Sequence, residues 1–122
     1  MAVISNEMNG DVTVVRFTER KILSDVVIAQ AGRELMALAG TEEKILLNFE
    51  GVEFMSSAMI GKIVLLNKKC KTDKVKLKLC NISENIMEVF EITRLHKVLD
   101  IVGTEDEAVA AFEKKGFFGL GR

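Results

Sequence analysis

Two adjacent hydroxyls, Ser56 and Ser57, sit in the segment Phe54-Met55-Ser56-Ser57-Ala58-Met59-Ile60-Gly61, just where a stretch of helical spacing begins. A serine at a helix N-terminus can accept a backbone N–H bond and cap the helix, a contribution of about 1 kcal/mol. It can also carry a phosphate, because unpaired N–H groups and the positive end of the helix dipole favour an anion at that place. Phosphorylation adds a charge of about −1.5 to −2, which an apolar or acidic partner surface repels while the domain itself stays folded. The chemistry this segment suggests is therefore acceptance of a phosphoryl group, and with it control of docking.

Other reactive residues point nowhere comparable. The single histidine, His96, lies in a Leu-His-Lys context that identifies no serine or cysteine pair, so a surface or structural role is expected. No Gly-x-Gly-x-x-Gly follows a strand, and neither a phosphate loop nor a His-Glu-x-x-His helix is present. Cys70 and Cys80 are too few for a disulfide scaffold and lack the paired spacing of a zinc site, so they read as core thiols in a reducing compartment. No acid and base couple stands out. The reading is a non-enzyme with no cofactor and no metal.

The elements that must position the serines follow from periodicity. Asp11 to Phe17 reads as a strand, with Val12, Val14 and Phe17 suggesting one mainly apolar face and an irregularity near its end; an Asn9-Gly10 turn joins it to a short strand over residues 2 to 8. Ser24 or Asp25 caps an amphipathic helix through Ile28, Ala31, Leu35 and Leu38 that ends near Gly40. Lys44 to Phe49 is an almost unbroken apolar run, the signature of a central strand covered on both faces. A helix over residues 57 to 70 follows, carrying Ile60, Ile63, Val64 and Leu66. Lys74 to Leu79 alternates lysine with aliphatic residues, predicting one buried and one wet face. Ser83-Glu84 opens a short helix through Ile86, Met87 and Phe90, Val98 to Val102 reads as a strand, and Thr104 with Glu107 forms a capping box ahead of Ala108, Ala111 and Phe112. Helices alternating with strands imply crossovers and a largely parallel sheet beyond the first hairpin.

A length of 122 residues with 48% hydrophobic content suits one domain with a proper core. Seventeen Lys and Arg against 18 Asp and Glu leave no net field to hold nucleic acid or an acidic membrane. No proline or linker-like block marks a boundary. No window approaches the roughly 18 apolar residues of a membrane span, and the N-terminus lacks a basic region followed by an apolar stretch, so a cytoplasmic protein is expected. The domain is expected to span residues 1–114, with 115–122 a short tail whose Phe117 and Phe118 either pack back onto the domain or form a docking patch.

Over nearly its whole length the chain resembles the STAS domain, specifically the bacterial anti-sigma-factor antagonists. In that family an apolar central strand leads through an aromatic-Met pair into Asp-Ser-Ser/Thr-Gly-Leu-Gly and a helix; here Leu46-Leu47-Asn48-Phe49 leads to Phe54-Met55-Ser56-Ser57-Ala58-Met59-Ile60-Gly61. The later pattern is also similar, from Leu79-Cys80-Asn81-Ile82-Ser83 through a helix to Phe90-Glu91-Ile92-Thr93, then Leu95 and Val98. The family's phosphorylated serine falls on Ser57, with Ser56 the second candidate. The family's Asp is Ser56 here, its second hydroxyl residue is Ala58 and its Gly is Met59.

The resemblance implies an α/β fold, a single STAS-like domain with a mixed, mostly parallel sheet of about five strands and four helices. It implies a regulatory protein that binds an anti-sigma factor with serine-kinase activity through Phe54, Met55, Ser56, Ser57, Ala58, Met59 and Lys62, is switched off by phosphorylation at Ser57, and is reset by a phosphatase. Large apolar residues after the acceptor are closer to the stressosome scaffold branch, which implies a self-assembling homo-oligomer as an alternative. A small-ligand sensor, using the carboxyl ends of the strands, is a third reading by fold-level analogy.

Overall fold

The structure, a computed structural model, describes the backbone of residues 3–120 and the side chains of residues 3–113. Strands β1 (Ile4–Asn9) and β2 (Val12–Phe17) form an antiparallel hairpin whose ends pair Asn9 with Val12, so Gly10 and Asp11 make the turn. Gly10 takes φ +65°, a conformation that favours glycine. The pairing runs without interruption from Ile4–Phe17 to Asn9–Val12, so the irregularity expected near the end of β2 is absent. Val12 and Val14 face one side while Val15 and Phe17 face the other, and β2 is buried on both faces rather than one.

After β3 (Lys21–Ile22), Ser24 caps α1 (Asp25–Ala39), which Gly40 ends. Then follow β4 (Lys44–Asn48), β5 (Phe54–Met55), α2 (Ser57–Thr72), β6 (Lys76–Cys80), α3 (Glu84–Ile92) capped by Ser83, a single 3-10 turn over Leu95–Lys97, β7 (Ile101–Val102) and α4 (Glu105–Leu120). The main sheet has the order β1-β2-β4-β6-β7 and is parallel throughout except for the hairpin. Four helices and a five-stranded mixed sheet are the architecture the sequence implied. Beside it stands a two-stranded parallel ladder, β3 with β5, whose strands are too short to show any periodicity.

Two apolar layers enclose the sheet. Ile45, Leu47, Leu77 and Leu79 meet Ile28, Ala31 and Leu35 of α1, Ile63 and Leu66 of α2, and Ile86 and Phe90 of α3, with the Phe17 and Phe49 rings stacked at 4.8 Å between centroids. On the opposite side Leu46, Val12, Val14 and Cys80 meet Ala108 and Phe112 of α4. β4 is thus covered on both faces, as its unbroken apolar run requires. Cys70 and Cys80 are buried and unpaired, and burial pushes both thiols up to about 11, which keeps them protonated.

Two expectations need correction. The strand read over Val98 to Val102 is only Ile101–Val102, because the chain first makes the 3-10 turn and leaves Val98 half exposed. The lysine face of β6 is also not fully wet: Lys76 is exposed, but Lys78 is 6% exposed, its ammonium bonded to Asp100 at 2.5 Å and lying 5.2 Å from the Phe112 ring. The reason is α4, which lays Phe112 over that face. Removing one partner strands a buried charge, whereas an apolar isostere does not. Asp100→Ala is therefore expected to cost about 1–3 kcal/mol and Lys78→Met to stay within about 1 kcal/mol of wild type, as read by urea denaturation.

Candidate functional site

The serine segment is fixed by the small ladder. Glu53 and Phe54 donate their N–H groups to the Arg20 carbonyl, and Ser56 donates its N–H to the Ile22 carbonyl at 3.0 Å. Arg20 and Glu53 add an exposed ion pair at 2.7 Å. These bonds hold residues 53 to 56 extended, so the chain can turn helical only after Ser56. Ser56 has φ −74° and ψ 162°, and its hydroxyl accepts from the Met59 N–H at 3.4 Å. Ser56 is thus the N-cap, the place the family gives to Asp, and serine fills it about as well.

Ser57 is then the first residue of a 16-residue helix and is exposed. Among the described residues its hydroxyl has no hydrogen-bond partner, and the first turn of α2 carries no acidic residue. The nearby Lys21 ammonium lies 5.7 Å from the Phe54 ring. A helix N-terminus with no acidic residue in its first turn is a place where negative charge is favoured.

The remaining predicted residues divide cleanly. Phe54 is 44% exposed and Ala58 is exposed, while Met55 and Lys62 are half-buried, so all four reach the surface. Met59 does not belong there. It is fully buried in the core with Ile63 and Leu66, so it cannot touch a partner and instead props the first turn of α2 from beneath. Leu23 and Val26 are 53% and 77% exposed, and Leu23 follows Ile22, the residue that pairs with Met55. Sequence reading missed both, although Val26 is out of phase with Ile28, Ala31 and Leu35. His96 is exposed, with Nδ1 3.3 Å from the Phe90 carbonyl, consistent with a surface or structural role.

The carboxyl ends of the parallel strands, where a small-ligand site was one reading, carry a polar network beside an open pocket of about 430 Å³ bordered by Phe49, Glu53, Asn81, Ser83 and Gly103. Glu105, in the first turn of α4, accepts from Asn9 Nδ2 at 2.8 Å, Arg16 at 2.8 Å and Asn48 Nδ2 at 2.9 Å. Asn48 Oδ1 in turn accepts from the Glu50 N–H and from Asn81 Nδ2, tying the loop that leads to β5 to the start of α3. No buried side-chain polar atom among the described residues lacks a partner. These polar groups are spent on one another, leaving none buried and aimed at a ligand.

The hydrogen bond from Asn9, with those from Arg16 and Asn48, holds the Glu105 carboxyl below its ordinary 4.5 against the opposing effect of burial. A carboxyl depressed in the folded state contributes stability above its unfolded pKa and loses that contribution as pH falls through the folded pKa. Glu105→Gln is therefore expected to cost about 1–2 kcal/mol at pH 7 and less near pH 2. Denaturation curves that stay equally separated at both pH values would refute this.

The fold is that of a STAS domain, and the match to the STAS domain family model over residues 4–108 establishes it: the chain belongs to that family. Within that family it is similar to proteins named anti-sigma-factor antagonists. A curated relative, the putative anti-sigma factor antagonist BtrV of Bordetella bronchiseptica, is 26% identical over 72 residues, which is 59% of this chain and 62% of the relative's own length. An anti-sigma-factor antagonist (STAS) domain protein from Planctomyces limnophilus superposes with a TM-score of 0.78 at 29% identity, over 91% of this chain and 98% of that one. SpoIIAA, a Bacillus cell-fate determinant solved in its phosphorylated form, shares the fold at 21% identity and a TM-score of 0.71, over 89% and 98% of the two chains. No helix among the described residues is long and apolar enough to cross a membrane.

Proposed function

We propose that this protein is a phosphorylation-gated antagonist that, with Ser57 unmodified, captures an anti-sigma factor having serine-kinase activity. The observation that carries the reading is the division of labour between the serines: Ser56 is engaged as the helix cap, while Ser57 is exposed, three residues after exposed Phe54, and the neighbouring β3 ends next to exposed Leu23. The exposed apolar side chains supply docking area, and the Ser57 hydroxyl is the place where charge can be added or removed. In the switching step Ser57 Oγ attacks the γ-phosphorus of ATP held by the kinase. A P–O bond forms, ADP leaves, and the hydroxyl proton passes to a base of the kinase. Hydrolysis by a phosphatase returns the hydroxyl. That the relatives are named anti-sigma-factor antagonists, and that one of them was solved phosphorylated, supports this reading.

The test is phosphosite mass spectrometry on protein from its native cells under resting and stressed growth, alongside Ser56→Ala and Ser57→Ala variants. Phosphate is expected on Ser57, retained in Ser56→Ala, which loses only a cap worth about 1 kcal/mol, and absent from Ser57→Ala. Full coverage of an always unmodified peptide would reject the switch, and phosphate confined to Ser56 would reject the assignment of the serines.

A further inference from the structure

Between them, α1 and α2 form a groove of about 350 Å³ lined by Ala29, Gly32, Arg33, Met36, Lys62 and Leu65. Met36 and Leu65 are 38% and 54% exposed, so two large apolar side chains stand open on either side of it. Gly32 makes room for the lysine stem: a Cβ there would lie 3.0 Å from Lys62 Cδ and 3.3 Å from Cε. Lys62 therefore lies flat across α1, its stem packed and its charge at the groove.

The groove is lined by two cations and no carboxylate. Among the described residues neither Arg33 nor Lys62 has an ion-pair partner, and Arg33 donates only to Gln30 Oε1. Glu34, adjacent in sequence, is turned to other uses, accepting from the Ile4 N–H at 3.2 Å and from Gln30 Nε2 at 2.7 Å. An apolar floor between two uncompensated cations complements a helix with an apolar stripe flanked by acids.

We infer that this groove seats an acidic amphipathic helix of the partner, its apolar stripe on Met36 and Leu65 and its flanking carboxylates on Arg33 and Lys62. The inference rests on the docking reading above and adds the partner's chemistry.

The experiment titrates the ¹⁵N-labelled protein at low salt with a synthetic helical peptide of about 15 residues, bearing leucines at helical spacing with glutamates on both flanks, and with its counterpart having lysine for every glutamate. Shifts are expected around Gly32, Met36, Lys62 and Leu65, with the acidic peptide binding about tenfold more tightly. The preference should vanish in Arg33→Glu and in Lys62→Met, the latter keeping a stem against Gly32 and an unchanged melting temperature. Equal affinity for the two peptides, or shifts elsewhere, overturns the inference. So does concentration-dependent dimerisation that shifts the same residues without peptide, which would assign the groove to a second copy. Since no kinase is present, a failure here leaves the phosphosite result standing, and a failed phosphosite result leaves this one standing.

Discussion

Ser57→Asp is expected to weaken binding of the proposed anti-sigma-factor partner by about a hundredfold, roughly 2.7 kcal/mol, while moving the melting temperature by no more than about 3 °C. The two halves of this expectation have separate causes. Stability is spared because Ser57 is exposed at the first position of α2, where a negative charge is favoured by the helix dipole and no acidic neighbour shares the first turn. The cap is untouched, since Ser56 supplies it. Binding suffers because a carboxylate placed at this exposed helix end, three residues after exposed Phe54, must lose water when an apolar or acidic surface closes over it. Isothermal titration with each serine-kinase anti-sigma factor from the same genome, paired with thermal melts, measures both. Equal affinity of folded wild type and variant would remove the switch, and a melting temperature lowered by about 10 °C would mean that Ser57 is structural.

Met59→Ala is expected to cost about 2–5 kcal/mol, and Met59→Gly about 1 kcal/mol more, which threatens the fold of a domain of this size. Met59 is fully buried in the same layer as Ile63, Leu66 and Cys70, so truncation leaves a cavity beneath the first turn of α2. That turn carries Ser57. The family's glycine at this position therefore cannot simply be restored here, because this core has been filled by methionine. Urea denaturation checks the magnitude, and a loss below about 1 kcal/mol would show that the surrounding layer collapses into the space. A variant that stays folded is expected to bind the partner more weakly through displacement of the helix end, not through a lost contact.

The sequence by itself determined whatever local backbone physics or burial on a single element dictates. The run Ile45-Leu46-Leu47 announces a strand covered twice, since a strand wet on one side cannot keep consecutive aliphatic residues. Ser24, Ser83 and the reciprocal Thr104–Glu107 pair announce helix starts, because a cap is a bond to an N–H only three residues away. The order of helices and strands, and from it a mostly parallel sheet, follows from the same signals.

Tertiary structure decided what depends on elements distant in the chain. Adjacent Ser56 and Ser57 are equivalent as local signals; the bond from Ser56 N–H to Ile22, across the β3–β5 ladder, places the helix boundary between them and so selects the hydroxyl left exposed. Met59 sits in a surface motif yet in phase with Ile63, Leu66 and Cys70, and packing resolved that conflict in favour of the core. Lys78 alternates like a solvent residue until α4, arriving from the end of the chain, covers it and Asp100 answers its charge. Periodicity records which residues share a face, but whether that face meets water depends on what the rest of the chain lays over it.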